Sequence, residues 1–108
     1  MEHKVIDQRS FAMATIIARR VRANPPLLEK ARENLARWLT TCSPNSRPAL
    51  MEWMDILQSG LETAVKTLCG EDERCARLRQ SSPFAGEEFI TRAERTDLIL
   101  QFSRRKLT

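Results

Sequence analysis

The sequence predicts an all-α fold, a compact bundle of five or six short helices. Three observations carry that expectation. Apolar residues recur at three- and four-residue spacing in successive segments, the period that gives a helix one buried stripe. Three glycines, five prolines and no tyrosine in 108 residues are a poor basis for a turn-rich β fold. Finally, Pro, Gly, Ser and Asn collect between the periodic segments and not inside them. With 42% hydrophobic and 30% charged residues the composition is that of a folded protein, and the length is that of one domain. Such a chain can bury roughly two-thirds of its unfolded surface, so it needs no metal or disulfide to fold. We expect a single helical domain over 1–108, frayed at 1–6 and 104–108.

The elements follow in order. A first helix is expected from Asp7 to Arg22, where Phe11, Ala14, Ala18 and Val21 form a stripe flanked by Ile16 and Ile17. Asn24-Pro25-Pro26 stops it, with Asn24 a good N-cap for the next helix and the prolines tolerated in its first turn. That second helix runs from Pro25 to about Thr40 on a stripe of Leu28, Ala31, Leu35, Trp38 and Leu39. Lys30, Glu33, Asn34 and Arg37 fall largely on its other side. Ser43-Pro44-Asn45-Ser46-Arg47-Pro48 is the strongest loop signal. A third helix places Leu50, Trp53, Met54 and Leu57 on one face and ends at Ser59-Gly60. Leu61, Ala64, Val65 and Leu68 mark a short fourth, closed by Gly70. Glu71-Asp72-Glu73 suit the positive N-terminal end of a fifth that reaches about Gln80. Thr91-Arg92-Ala93-Glu94 is a capping box. It opens a last helix with Leu98, Ile99 and Phe102 inward and Arg104-Arg105-Lys106 at its C-terminal end.

Formal net charge is +4, unevenly spread. Residues 1–47 hold nine Lys/Arg against four Asp/Glu, residues 48–73 one against six, and residues 74–108 eight against four. Basic ends around an acidic middle suit a charged partner, although a mixed solvated surface gives the same tally. Cys42, Cys69 and Cys75 lack metal-ligand spacing and His3 is the only histidine, so neither a structural zinc site nor a histidine-based catalytic pair is expected. No phosphate-binding glycine loop and no nucleophile elbow occurs. We expect a non-enzymatic protein without cofactor or metal. It should be cytoplasmic with reduced thiols, because no apolar run is long enough for a signal or a membrane span.

Functional candidates gather where a basic helix end runs into RLRQSSPFAG, residues 77–86. Arg74, Arg77 and Arg79, followed by Arg92 and Arg95, could contact nucleic-acid phosphates or base edges, with Leu61–Gly70 as the supporting helix. Against this, Lys66 stands where a helix-turn-helix prefers a small residue, and three acids open the would-be recognition helix. A solvated face of Glu/Arg pairs explains the same residues. Phe84 either plugs the helical core or anchors a partner together with Arg77, Arg79 and Gln80. The large burial term of an aromatic ring favours the core.

Lys30-Ala31-Arg32-Glu33-Asn34-Leu35-Ala36-Arg37-Trp38, Glu52-Trp53, Leu78-Arg79-Gln80-Ser81-Ser82-Pro83-Phe84-Ala85-Gly86 and Thr91-Arg92-Ala93-Glu94-Arg95 together resemble an uncharacterised family of small bacterial all-helical proteins. That family shares a KARxNLxRW helix, a central EW helix, an LRQxSPFxG turn and a TxxER helix. The similarity covers most of residues 15–105, and Glu87-Glu88-Phe89-Ile90 departs from it, standing where similar proteins have a shorter apolar link. Its members resemble the antitoxin-like partner in toxin–antitoxin modules. The resemblance therefore implies a module that binds and neutralises a protein, such as a toxin encoded by a neighbouring gene, and it brings no catalytic residues. The alternatives are a DNA-binding transcriptional regulator and, third, an RNA- or nucleotide-modifying enzyme.

Overall fold

Six helices account for the secondary structure in the computed structural model, which describes residues 2–107 and the side chains of residues 8–103: α1 (Glu2–Ala23), α2 (Leu27–Leu39), α3 (Arg47–Gln58), α4 (Leu61–Cys69), α5 (Glu73–Arg79) and α6 (Arg92–Leu107). No strand occurs among the described residues, so the all-α expectation holds. The fraying expected at 1–6 and 104–108 lies outside the residues whose side chains are described.

Helix ends differ from expectation where proline or longer-range contacts intervene. α1 begins at Glu2, not near Asp7. α2 begins at Leu27 with Pro26 in the cap position, and no side chain caps it. Asn24 fails as the N-cap for a simple reason. Pro25 and Pro26 have no N–H to give it, and the Leu27 N–H is taken by the main-chain carbonyl of Asn24 at 2.9 Å. Towards the other end of the chain the expected capping box forms, and the acidic start of α5 supplies a cap as well. Asp72 accepts the Cys75 N–H at 2.8 Å to open α5. At α6, Thr91 Oγ1 accepts the Glu94 N–H at 3.1 Å while the Glu94 carboxylate accepts the Thr91 N–H at 2.8 Å, a complete capping box.

The core draws on every element before α6: Ala14, Ile17 and Val21 of α1, Ala31 and Leu35 of α2, Leu50, Trp53, Ile56 and Leu57 of α3, Ala64 and Leu68 of α4, and Leu78 of α5. Phe84, Phe89 and Ile90, from the segment between α5 and α6, complete it. α1 packs against α4, α5 and α6, while α2 pairs with α3 and α3 with α4. α6 therefore lies outermost, with Leu98 and Phe102 turned inward four residues apart. Ile99, expected to point inward with them, is 38% exposed beside Leu100 at 52%. One residue past Leu98 is about 100° around the helix, which carries it off the buried stripe. Asn34 is also relocated: it is buried, at the edge of the α2 stripe between Ala31 and Trp38, and not on the solvent side.

Candidate functional site

The SSPFAG turn is held from three directions by residues of the quoted motifs. Pro83 and Ala85 present carbonyls inward, and the Asn34 amide of α2 donates to both, at 2.9 and 3.1 Å. Arg37, one turn further along α2, donates to Asn34 Oδ1 at 2.7 Å and so orients that amide. Trp53 of α3 donates its indole N–H to the Leu78 carbonyl at 2.8 Å. The same indole meets the Phe84 ring edge-on at 5.8 Å, and Phe84 meets Phe89 edge-on at 5.5 Å. Such geometry sets the positive edge of one ring against the negative face of the next. Within the turn, Ser82 Oγ accepts the Phe84 N–H at 3.1 Å, and Gly86 adopts φ +126°, a conformation side chains oppose. Glu87-Glu88-Phe89-Ile90 then closes the segment. Phe89 and Ile90 are buried, their N–H groups return to the Gly86 carbonyl, and the Glu87 carboxylate accepts the Arg92 N–H at the start of α6.

This arrangement redistributes the residues expected to bind partners. Phe84 is 3% exposed and Arg79 is 6% exposed, so of the expected partner-facing set of Arg77, Arg79, Gln80 and Phe84 these two are packed into the fold and reach the surface only as lining of the cleft beside the turn. The cause for Arg79 is the end of α4. Its guanidinium donates to the carbonyls of Leu68, at 3.0 Å, and Gly70, which the helix cannot satisfy itself, and it lies over the Phe11 ring at 5.5 Å. Arg74 and Arg77, the core of the expected nucleic-acid surface, both reach Glu52 of α3, at 2.8 and 3.2 Å. Partial burial pushes the Glu52 carboxyl up, but the two guanidinium groups outweigh it and hold the carboxyl below its ordinary range. Arg92 and Arg95 are exposed at the start of α6.

One contact that sequence reasoning missed ties α1 to this end of the molecule. Arg20 donates to both carboxylate oxygens of Glu94, each at 2.6 Å, and to the Phe89 carbonyl at 2.9 Å. The Arg20 hydrogen bonds, with that from Thr91, lower the Glu94 pKa to about 2. The reciprocal effect raises Arg20 above its already high value.

What these bonds frame is an open cleft of about 280 Å³ between α1, the turn and the start of α6. Met13, Ile17, Phe84 and Ile90 are among its apolar lining, and Ser10, Arg79, Gln80, Ser82 and Arg95 supply its polar groups. A second hollow, lined by Ala85, Gly86, Glu87, Ile90, Arg92 and Arg95, shares Ala85, Ile90 and Arg95 with the first, so the two make one groove along the turn. Gln80, Arg92 and Arg95 thus remain at the surface together, whereas Arg74 and Arg77 do not line this groove. Among the described residues no group of acids, cysteines and histidines could hold a metal ion, and no helix is long and apolar enough to cross a membrane. The chain matches no family model, and no curated protein or solved structure matches it.

Proposed function

We propose that the chain is a non-enzymatic protein-interaction module, an antitoxin-like or regulatory partner that meets another protein along the groove beside the SSPFAG turn. The observation that carries this reading is the groove itself: an apolar lining, left open, on a frame locked by Asn34, Trp53 and the Arg20–Glu94 pair. A preformed site of this kind loses little conformational entropy when it is filled, which favours affinity. Exposed Ile99 and Leu100 further along α6 extend the apolar surface available to a partner. The DNA-binding alternative through Arg74, Arg77 and Arg79 has less support, because Glu52 and the end of α4 already engage those three side chains.

Co-expression with the product of the adjacent reading frame tests the proposal. A stable complex by size exclusion with light scattering, together with restored growth where the partner alone arrests it, is the expected result. Ala85→Arg sets a long cation where the two hollows join and should weaken the complex at least about tenfold while helicity stays unchanged. No complex for the wild type, or an equally tight one for Ala85→Arg, overturns the proposal.

A further inference from the structure

A different face carries cations that the fold leaves free. From Gln8 to Ala23, α1 contains Arg9, Arg19, Arg20 and Arg22 and no acidic residue. Arg20 is committed to Glu94, but Arg19 and Arg22, three positions apart and so neighbours on the helix surface, rise beside the contact with α4. Lys66 faces them from α4, and with Thr15, Ala18, Val65 and Cys69 the three cations line a groove of about 430 Å³. The apolar lining is shielded from water, with Ala18 and Val65 at 5% and 4% exposure. Arg22 holds Glu62 at 3.1 Å in a solvent-exposed pair, which contributes little and exchanges readily. Arg19 and Lys66 form no ion pair among the described residues. Burial pushes the Cys69 thiol up, so it stays protonated and adds no negative charge. The other exposed cations near a groove, Arg92 and Arg95, sit among Glu87, Glu88, Glu94 and Asp97. The α1–α4 groove is the more purely positive of the two.

We infer that the groove between α1 and α4 binds the phosphodiester backbone of a nucleic acid through Arg19, Arg22 and Lys66. Two helices bring cations to both sides of one hollow, so their positive potentials add where an anionic strand would lie. Guanidinium groups can grip phosphate oxygens in pairs, while Lys66 supplies a point charge. Nothing in the groove reads a base edge, so the binding is indifferent to sequence and sensitive to salt. It shares no residue with the groove beside the turn and does not rest on the protein-partner reading.

Fluorescence anisotropy with a short labelled DNA duplex, and with an RNA duplex of the same sequence, tests the inference between about 50 and 200 mM salt. Wild type should bind one or both, with an affinity that falls along a log–log slope of about −2 to −3, near −0.9 for each neutralised phosphate. Arg19→Gln/Lys66→Gln should weaken binding by about tenfold or more and reduce the slope by about two. Lys30→Gln/Arg47→Gln makes the same charge change on α2 and α3 and should stay within about twofold of wild type. Circular dichroism of both variants should match the wild type, since all four side chains are exposed. Absence of salt-dependent binding overturns the inference, as does an equal loss in the control variant, which would make net charge the cause. Binding to anionic phosphatidylserine vesicles but to neither duplex also overturns it and reassigns the groove to a membrane surface.

Discussion

Around α5, Arg74 and Arg77 meet the Glu52 carboxylate and Arg79 is buried on the carbonyls at the end of α4, whereas on α1 Arg19 is exposed and forms no ion pair among the described residues. Both stretches look alike in the sequence, three arginines within a few positions. What separates them is the surface they fold against. α5 packs beside a helix end with unsatisfied carbonyls and near a face bearing Glu52, so Arg79 is buried in the fold while Arg74 and Arg77 stay at the surface, paired with Glu52. Beside α4, the exposed side of α1 faces Lys66 and a Glu62 that is already paired with Arg22. Arginine density is therefore a poor guide to a binding surface, and the acids and carbonyls within reach are a better one.

The largest test of the absorbed region is its aromatic centre. Phe84→Ala removes a ring wedged between Trp53 and Phe89 and should cost about 3–5 kcal/mol, seen as a marked fall in the urea midpoint. An unchanged midpoint would place the ring outside the core and break the contrast. Next in size is Asn34→Ala, which leaves the Pro83 and Ala85 carbonyls without their amide donor. A loss of about 2 kcal/mol is expected in the same measurement.

Acid titration probes the link from α1 to α6. A carboxyl whose folded pKa lies near 2, against an ordinary 4.5, favours the fold above 4.5 and loses that contribution as pH falls towards 2. The melting temperature should therefore fall over that window, and fall less in Glu94→Gln, whose amide keeps the capping box but cannot titrate. The smallest effect should come from Glu52→Gln. It releases Arg74 and Arg77 at a cost below about 1 kcal/mol, because the pairs are near the surface. If absorption by Glu52 is what separates the two arginine clusters, this variant should bind the labelled duplex more tightly than wild type.

Helix number, order and most boundaries were legible because each rests on local signals: the stripe of Leu61, Ala64, Val65 and Leu68, the acidic start of α5, and the Thr91–Glu94 box. Legibility failed where a neighbour distant in sequence decides. Asn34 is polar and looks solvated until the SSPFAG turn arrives across the core with two carbonyls to satisfy. It also lies three positions after Ala31 and four before Trp38, a spacing that placed it at the stripe edge and was the one usable hint. Arg20 is one of several similar arginines on α1, and only the arrival of Glu94 singles it out. Leu98, Ile99 and Leu100 are three apolar residues in succession, which leaves the phase of the helix undetermined and lets the sequence point Ile99 inward.

Gly70, between α4 and α5, has a consequence for the reactivity of the neighbouring thiol. A Cβ placed on Gly70 would stand 2.3 Å from Cys75 Sγ, so the missing side chain is the space the sulfur occupies. Burial and the adjacent Asp72 carboxylate both push that thiol up, leaving little thiolate to react in the closed molecule. Cys75 therefore serves as an internal clock. Its modification by a thiol reagent requires the α4–α5 corner to open, so the labelling rate at Cys75 reports openings of that corner, including those too small to unfold the whole molecule.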